Sequence, residues 1–258
     1  MAALPAKSPS PTASTKSSPR RLAQTKPTAP QKIKSRPVVA TSVAPERIIT
    51  TDADVAEGVA ALSATCRYAR AMAACSGPLS LRLREPGFEG LARIVVSQQL
   101  SVASAAAIWA RVAAQFQPLQ PMSILAATDD ELRGVGLSRP KVRTLRAVAT
   151  AVAHEGLRLD GLDGASNEDV HAALTRVSGI GPWTADIFLM FCLGRADGFA
   201  AGDLALQEAA KMVMQLEARP SALELLEIAE HWRPWRSVAA RLLWAYYKVE
   251  KTREGIGA

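Results

Sequence analysis

From about Ile48 onward the apolar residues of this 258-residue chain recur at spacings of three and four, and strict alternation hardly occurs. Side chains return to one face of an α-helix every 3.6 residues and to one face of a strand every two, so this spacing commits the folded part to helices packed on helices. An all-α fold is therefore expected. Val142, Leu145, Val148 and Val152 form one such stripe, opened by Pro140 in a first turn where a missing N–H costs nothing. The same spacing predicts helices over residues 54 to 75, 88 to 97, 101 to 116, 129 to 133, 168 to 177, 182 to 193, 204 to 216, 222 to 231 and 235 to 249. Breaks fall at Gly, Pro and Asp clusters such as 160 to 164. Ser166 ahead of Glu168 and Asp169 combines a hydroxyl cap with first-turn acids, a good helix start.

The beginning of the chain follows different rules. Residues 1 to about 45 are Ala, Ser, Thr, Pro and Lys with few large apolar side chains, too little to offset the entropy of ordering. A disordered basic tail over 1–49 and a folded domain over 50–258 are expected. The eight Lys and Arg before Glu46 face no acid, so against +7 overall the rest of the chain carries about −1. The tail reads as a solubilising extension, as an electrostatic capture arm for nucleic acid or, being basic and acid-poor though without a clear amphipathic period, as an organelle transit peptide. DNA binding by the folded part must then be local and geometric.

Three scattered cysteines, Cys66, Cys75 and Cys192, offer neither a disulfide framework nor a CxxC metal spacing, and His154, His171 and His231 share no helix-face spacing. No metal site is expected. The longest apolar run, residues 187 to 193, is far too short to cross a bilayer. The expected product is soluble, cytoplasmic in a bacterium and nuclear in a eukaryote.

Between the helices ending near Val177 and beginning at Pro182 lies Ser178-Gly179-Ile180-Gly181, long enough only for a tight turn. Glycine admits positive φ and lets another molecule approach the backbone closely. Outward amides at a helix N-terminus suit a phosphate, although a plain helix–helix corner explains a lone GxG equally well. The longer string LTRVSGIGPWTAD, residues 174 to 186, resembles the helix-hairpin-helix of the DNA glycosylase superfamily, in which a Gly/Pro-rich loop and an essential aspartate follow the hairpin. FAAGDLALQEA at 199 to 209 supplies Asp203 about twenty residues on. IVVSQQLSVASAAAI at 94 to 108, GLSRPKVRTLRAVA at 136 to 149 and WRPWRSVAARLLWAYY at 232 to 247 are similar to its 3-methyladenine DNA glycosylase II branch.

The resemblance implies two helical subdomains with a DNA cleft between them; several members carry an additional N-terminal β domain, which is expected to be absent because only about 50 residues precede the helices. By its position after Gly202, Asp203 reads as a helix N-cap; by resemblance it is the catalytic carboxylate that stabilises an oxocarbenium-like state and orients or deprotonates water. Trp183 occupies the place where strand-nicking members carry a lysine, and an indole cannot form the Schiff base of that chemistry. A monofunctional enzyme is implied. The iron–sulfur members need four cysteines near the C-terminus, and none follows Cys192.

With Trp183, the residues Ile187 and Leu204 would line the base pocket, where some members place tyrosines instead. Gln98, Gln99 and Leu100 would form the loop that fills the gap left by the flipped nucleotide, through Gln99 or Leu100. Gly179, Ile180, Gly181, Thr184, Lys141 and Arg236 would contact DNA, Arg236 reaching either a phosphate or an internal carboxylate such as Asp186. Gly134-Val135-Gly136 is a second candidate backbone contact, and Trp232 and Trp235 read as core staples or as a cluster beside the cleft. No cofactor is implied beyond a candidate monovalent cation at the hairpin carbonyls. The implied partner is double-stranded DNA containing damaged bases, met by a monomer. The implied activity is removal of alkylated purines such as 3-methyladenine, the alternatives being a non-catalytic helix-hairpin-helix DNA-binding protein or a glycosylase for deaminated or oxidised bases.

Overall fold

The structure, a computed structural model, describes residues 46–253 and 255. Twelve α-helices follow one another among the described residues: α1 (Asp52–Thr65), α2 (Arg67–Ser76), α3 (Phe88–Ser97), α4 (Val102–Gln115), α5 (Pro121–Ala126), α6 (Asp129–Gly134), α7 (Arg139–His154), α8 (Asn167–Thr175), α9 (Pro182–Phe191), α10 (Leu204–Met214), α11 (Ala222–Ala229) and α12 (Arg236–Arg253). The chain is all-α as the spacing requires, and the isolated bridge between Ile48 and Arg195 is the one β pairing among the described residues. No described helix is long and apolar enough to cross a membrane.

Local chemistry sets the helix ends. Thr51 and Asp54 form a reciprocal box at the start of α1, with Asp54 N–H on the threonine hydroxyl at 3.1 Å and Thr51 N–H on the carboxylate at 2.9 Å. Ser166 caps α8 through Asp169 N–H at 3.1 Å, as expected. The single helix expected over 54–75 is instead two, because Cys66 is extended at φ −121° and ψ 115°. The six-residue α5 is too short to announce itself by periodicity.

The domain starts earlier than residue 50. Ile49 N–H donates to Gly194 O at 2.7 Å, Ala196 N–H donates to Arg47 O at 2.9 Å, and Ile49 is wholly buried. Arg195 meets Glu46 at 2.8 Å. Residues 46–49, expected in the tail, are thus a strap on the loop after α9; the rest of the expected basic tail lies outside the described residues.

The helices sort into two interleaved groups. α1, α2 and α10 pack on α12, with α11 against α10; in the other group α3 packs on α4, α7 and α9, while α5 and α6 lie on α7 and α8 on α9. The first group is built from both ends of the described chain and the second from its middle. At the seam, Arg241 of α12 donates to Met190 O of α9 at 3.3 Å, and Phe191 tilts against Trp244 with ring centres 5.8 Å apart.

Candidate active site

Asp203 is the N-cap of α10, its Oδ1 accepting from the amides of Ala205 at 2.9 Å and Leu206 at 3.2 Å. Two indoles complete the shell. Trp183 Nε1, from the first turn of α9, donates to Oδ2 at 2.8 Å, and Trp244 Nε1, from α12, donates to Oδ1 at 3.1 Å. Four N–H groups from three helices thus hold one carboxylate in place at the seam, half-buried, with the helix N-terminus adding its positive end. The N-cap reading is met by this geometry. Trp244 was not singled out in the sequence; it appears there only as one aromatic within the 232–247 segment, forty-one residues past Asp203.

Of the expected pocket residues, Trp183 is half-buried over Asp203, Ile187 lies one turn further along α9 and is buried, and Leu204 stands 62% exposed beside Asp203. Leu204 therefore offers an apolar rim to the site rather than a wall deep in it.

The hairpin between α8 and α9 is as tight as its sequence demands. Gly179 has φ +86°, and a Cβ there would collide with the Thr144 hydroxyl of α7. Ile180 is buried and spends its N–H on Val177 O at 3.0 Å, so its side chain anchors the turn in the core. The amides of Gly179 and Gly181 find no backbone acceptor among the described residues.

Several polar residues expected to touch DNA have partners within the protein. Thr184 is buried, and its hydroxyl accepts from Gln98 Nε2 at 2.9 Å; the same amide reaches Gly179 O at 3.4 Å. Lys141 donates Nζ to Val96 O and, at 2.7 Å, to Gln98 O, capping the open carbonyls at the end of α3. Partial burial pulls its ammonium below the usual lysine range. Lys141 and Thr144 lie one turn apart on α7, so this helix clamps the 98–100 loop with one residue and the hairpin with the other. What that loop presents outward is Gln99, at φ +55°, and Leu100, 38% exposed.

Arg236 is the clearest departure. It grips Asp197 through Nε and Nη2, both at 2.9 Å, and Glu230 at 2.9 Å, and its side chain is only 11% exposed. It is bound to internal carboxylates, Asp197 and Glu230 in place of the expected Asp186. Arg233 joins the same Asp197, and Trp232 and Trp235 are buried, which is the core-staple reading. Asp186 lines a polar cavity of about 240 Å³ with Asp197, Arg233 and Arg236; burial pushes its carboxyl up to about 7 against the opposing charge of Arg236. His171 Nε2 stands 3.9 Å away. Arg111 Nε donates to Val135 O at 2.9 Å, so the Gly134–Gly136 turn is tied to α4.

A helix-hairpin-helix with free glycine amides, followed by a carboxylate held on N–H donors at the seam of two helix groups, defines a class of DNA repair proteins. The chain belongs to the HhH-GPD superfamily of base excision DNA repair proteins, whose family model matches residues 92–234. It is 32% identical over 175 residues to DNA-3-methyladenine glycosylase 1 of Schizosaccharomyces pombe, covering 66% of this chain and 76% of that one. Among solved structures, the S. pombe 3-methyladenine DNA glycosylase in complex with abasic DNA matches with a TM-score of 0.66 at 27% identity, over 77% of this chain and 97% of that one. A DNA-3-methyladenine glycosidase from Bacillus halodurans matches with a TM-score of 0.62 at 30% identity, over 81% and 99%.

Proposed function

We propose that this chain flips alkylated purines such as 3-methyladenine out of duplex DNA and hydrolyses their N-glycosidic bond, leaving an abasic site and an uncut strand. The observation that carries the reading is the Asp203 carboxylate, fixed by Trp183, Trp244 and two backbone amides.

The amides of Gly179 and Gly181 and the N-terminus of α9 hold a backbone phosphate, while Gln99 and Leu100 enter the space the flipped nucleotide vacates. As the bond to the base breaks, positive charge grows on the sugar, and the carboxylate stabilises it without having to move. Water adds at the anomeric carbon and gives up its proton to Asp203. A base that is cationic through alkylation departs as a neutral molecule, so no strong general acid is required. The indole face of Trp183 favours such a cation by cation–π attraction. Trp183 also stands where the resemblance puts a lysine in strand-nicking members, which supports hydrolysis without lyase chemistry. A monovalent cation at the hairpin stays part of the proposal: Val177 O accepts one amide and keeps a second lone pair.

The test is release of free base from duplexes carrying single lesions, with Asp203→Asn as the paired variant. Wild type should release 3-methyladenine and leave a strand that breaks only after alkali, and Asp203→Asn should release none at matched concentration. A wild type that releases no base, or an Asp203→Asn that matches it, overturns the mechanism; strand breaks without alkali overturn the monofunctional reading.

A further inference from the structure

Trp244 borders two places at once. Its N–H is on Asp203, and its ring walls a separate cavity of about 520 Å³ that neither Asp203, Trp183, Ile187 nor Leu204 lines. This second cavity lies between the loop joining α2 to α3, the end of α9 and the outer turns of α12. Its size falls among small-molecule sites, roughly 300–1,000 Å³.

The charge of its walls is one-sided. Arg82, Arg241, Lys248 and Arg253 line it, and no Asp or Glu does. Arg253 is paired with Glu250 at 2.7 Å, whereas Arg82, Arg241 and Lys248 have no carboxylate partner among the described residues. Arg241 is the telling member, being only 5% exposed. It donates to the carbonyls of Ser237 at 3.0 Å, Met190 at 3.3 Å and Leu81 at 3.4 Å, lies 4.7 Å from the Phe191 ring, and leaves Nε without a hydrogen-bond partner. Buried charges in folded proteins are normally paired, because desolvation is otherwise uncompensated. Here burial and the nearby Arg82 together pull the guanidinium down to about 10.

Two further details fit a site for an anion. Arg82 sits at φ +54°, a conformation costly for a residue with a Cβ and found where surroundings impose it. The Ser76 hydroxyl in the same wall is buried without a partner. Cations, hydroxyls and the Phe191 and Trp244 rings, with no acid among them, are what a phosphate carrying a flat organic group would meet.

We propose that this cavity is a binding site for an organic phosphate of nucleotide size, met by Arg82 and Lys248 at the mouth and by the charge of Arg241 behind them. The same chemistry has two sources: a free nucleotide, or a nucleotide of a DNA strand lying in the cleft. The site stands apart from the excision reading, since binding to it needs no catalysis.

Arg82 and Lys248 are exposed and outside the Asp203 shell, so Arg82→Ala/Lys248→Ala in the full chain leaves the fold intact for comparison, with circular dichroism as the check. Calorimetry with inorganic phosphate, 2′-deoxyadenosine 5′-monophosphate and uncharged deoxyadenosine addresses the free source. Affinity for an undamaged duplex across a salt series addresses the DNA source. For a free nucleotide, the monophosphate binds wild type at least about tenfold more tightly than deoxyadenosine, and the double variant loses about tenfold. For a strand nucleotide, the double variant lowers the salt slope of duplex binding by about one to two. The proposal is overturned if neither phosphate nor the monophosphate binds and the salt slope is unchanged, or if deoxyadenosine binds as well as the monophosphate while the slope stays put.

Discussion

Asp186→Asn isolates the titration of one buried carboxyl from all the others in the chain. Its side chain is 19% exposed, and burial lifts it from the ordinary 3.8 to about 7 while Arg236 opposes the lift. Below the unfolded value both states hold the proton, and above about 7 neither does. Between the two, the folded chain keeps a proton that the unfolded chain has released, so stability falls as pH rises through this window and levels off above it. Each pKa unit is worth about 1.4 kcal/mol, and going from near pH 5 to near pH 8 crosses about two of the units of difference, a loss of roughly 2–3 kcal/mol from this group alone. Asparagine has no proton to keep and loses none of it. Urea midpoints of both proteins at the two pH values give the result as a difference of differences. Parallel losses in the two proteins would refute the reasoning.

Arg236→Met should destabilise the fold by about 1–3 kcal/mol, since Arg233 still serves Asp197, and should leave duplex affinity unchanged. A drop in affinity with no change in urea midpoint would restore the phosphate-contact reading. Lys141→Met strips the donor from Val96 O and Gln98 O and frees the 98–100 loop. Excision from a duplex lesion should fall about tenfold in kcat/KM, with 2-aminopurine fluorescence showing less flipping, while affinity for undamaged duplex holds within about twofold. Equal losses in both measurements would mean that Lys141 acts on grip rather than on the loop.

The helices were legible wherever an apolar stripe ran for three turns, as in α7, and were missed or merged where a tertiary constraint cut the period. Cys66 reads as one more mid-helix residue in sequence, yet its extended backbone lets α1 and α2 take different directions on α12. Asp203 and Trp183 were legible because each carries a local signature, an N-cap after glycine and the turn after the hairpin. Trp244 was not, because what matters about it is a contact across forty residues that no spacing encodes. The same limit explains Thr184, Gln98, Lys141 and Arg236. A polar side chain in a DNA-facing motif does not announce the partner it finds inside the protein, and these four find an amide, carbonyls, a hydroxyl and carboxylates.

The interleaving of the two helix groups has a consequence for the order in which the protein acquires its abilities during synthesis. The hairpin, the 98–100 loop and the α7 clamp all belong to the middle of the chain and emerge from the ribosome before Asp203 and well before Trp244. On the proposed reading, a chain ending before α10 carries the hairpin and the 98–100 loop but not Asp203, the carboxylate that serves the attacking water. α12 supplies both the indole that steadies Asp203 and the surface on which α1, α2 and α10 dock. A chain that stops before α12 lacks Trp244 and leaves Asp203 with three of its four N–H donors.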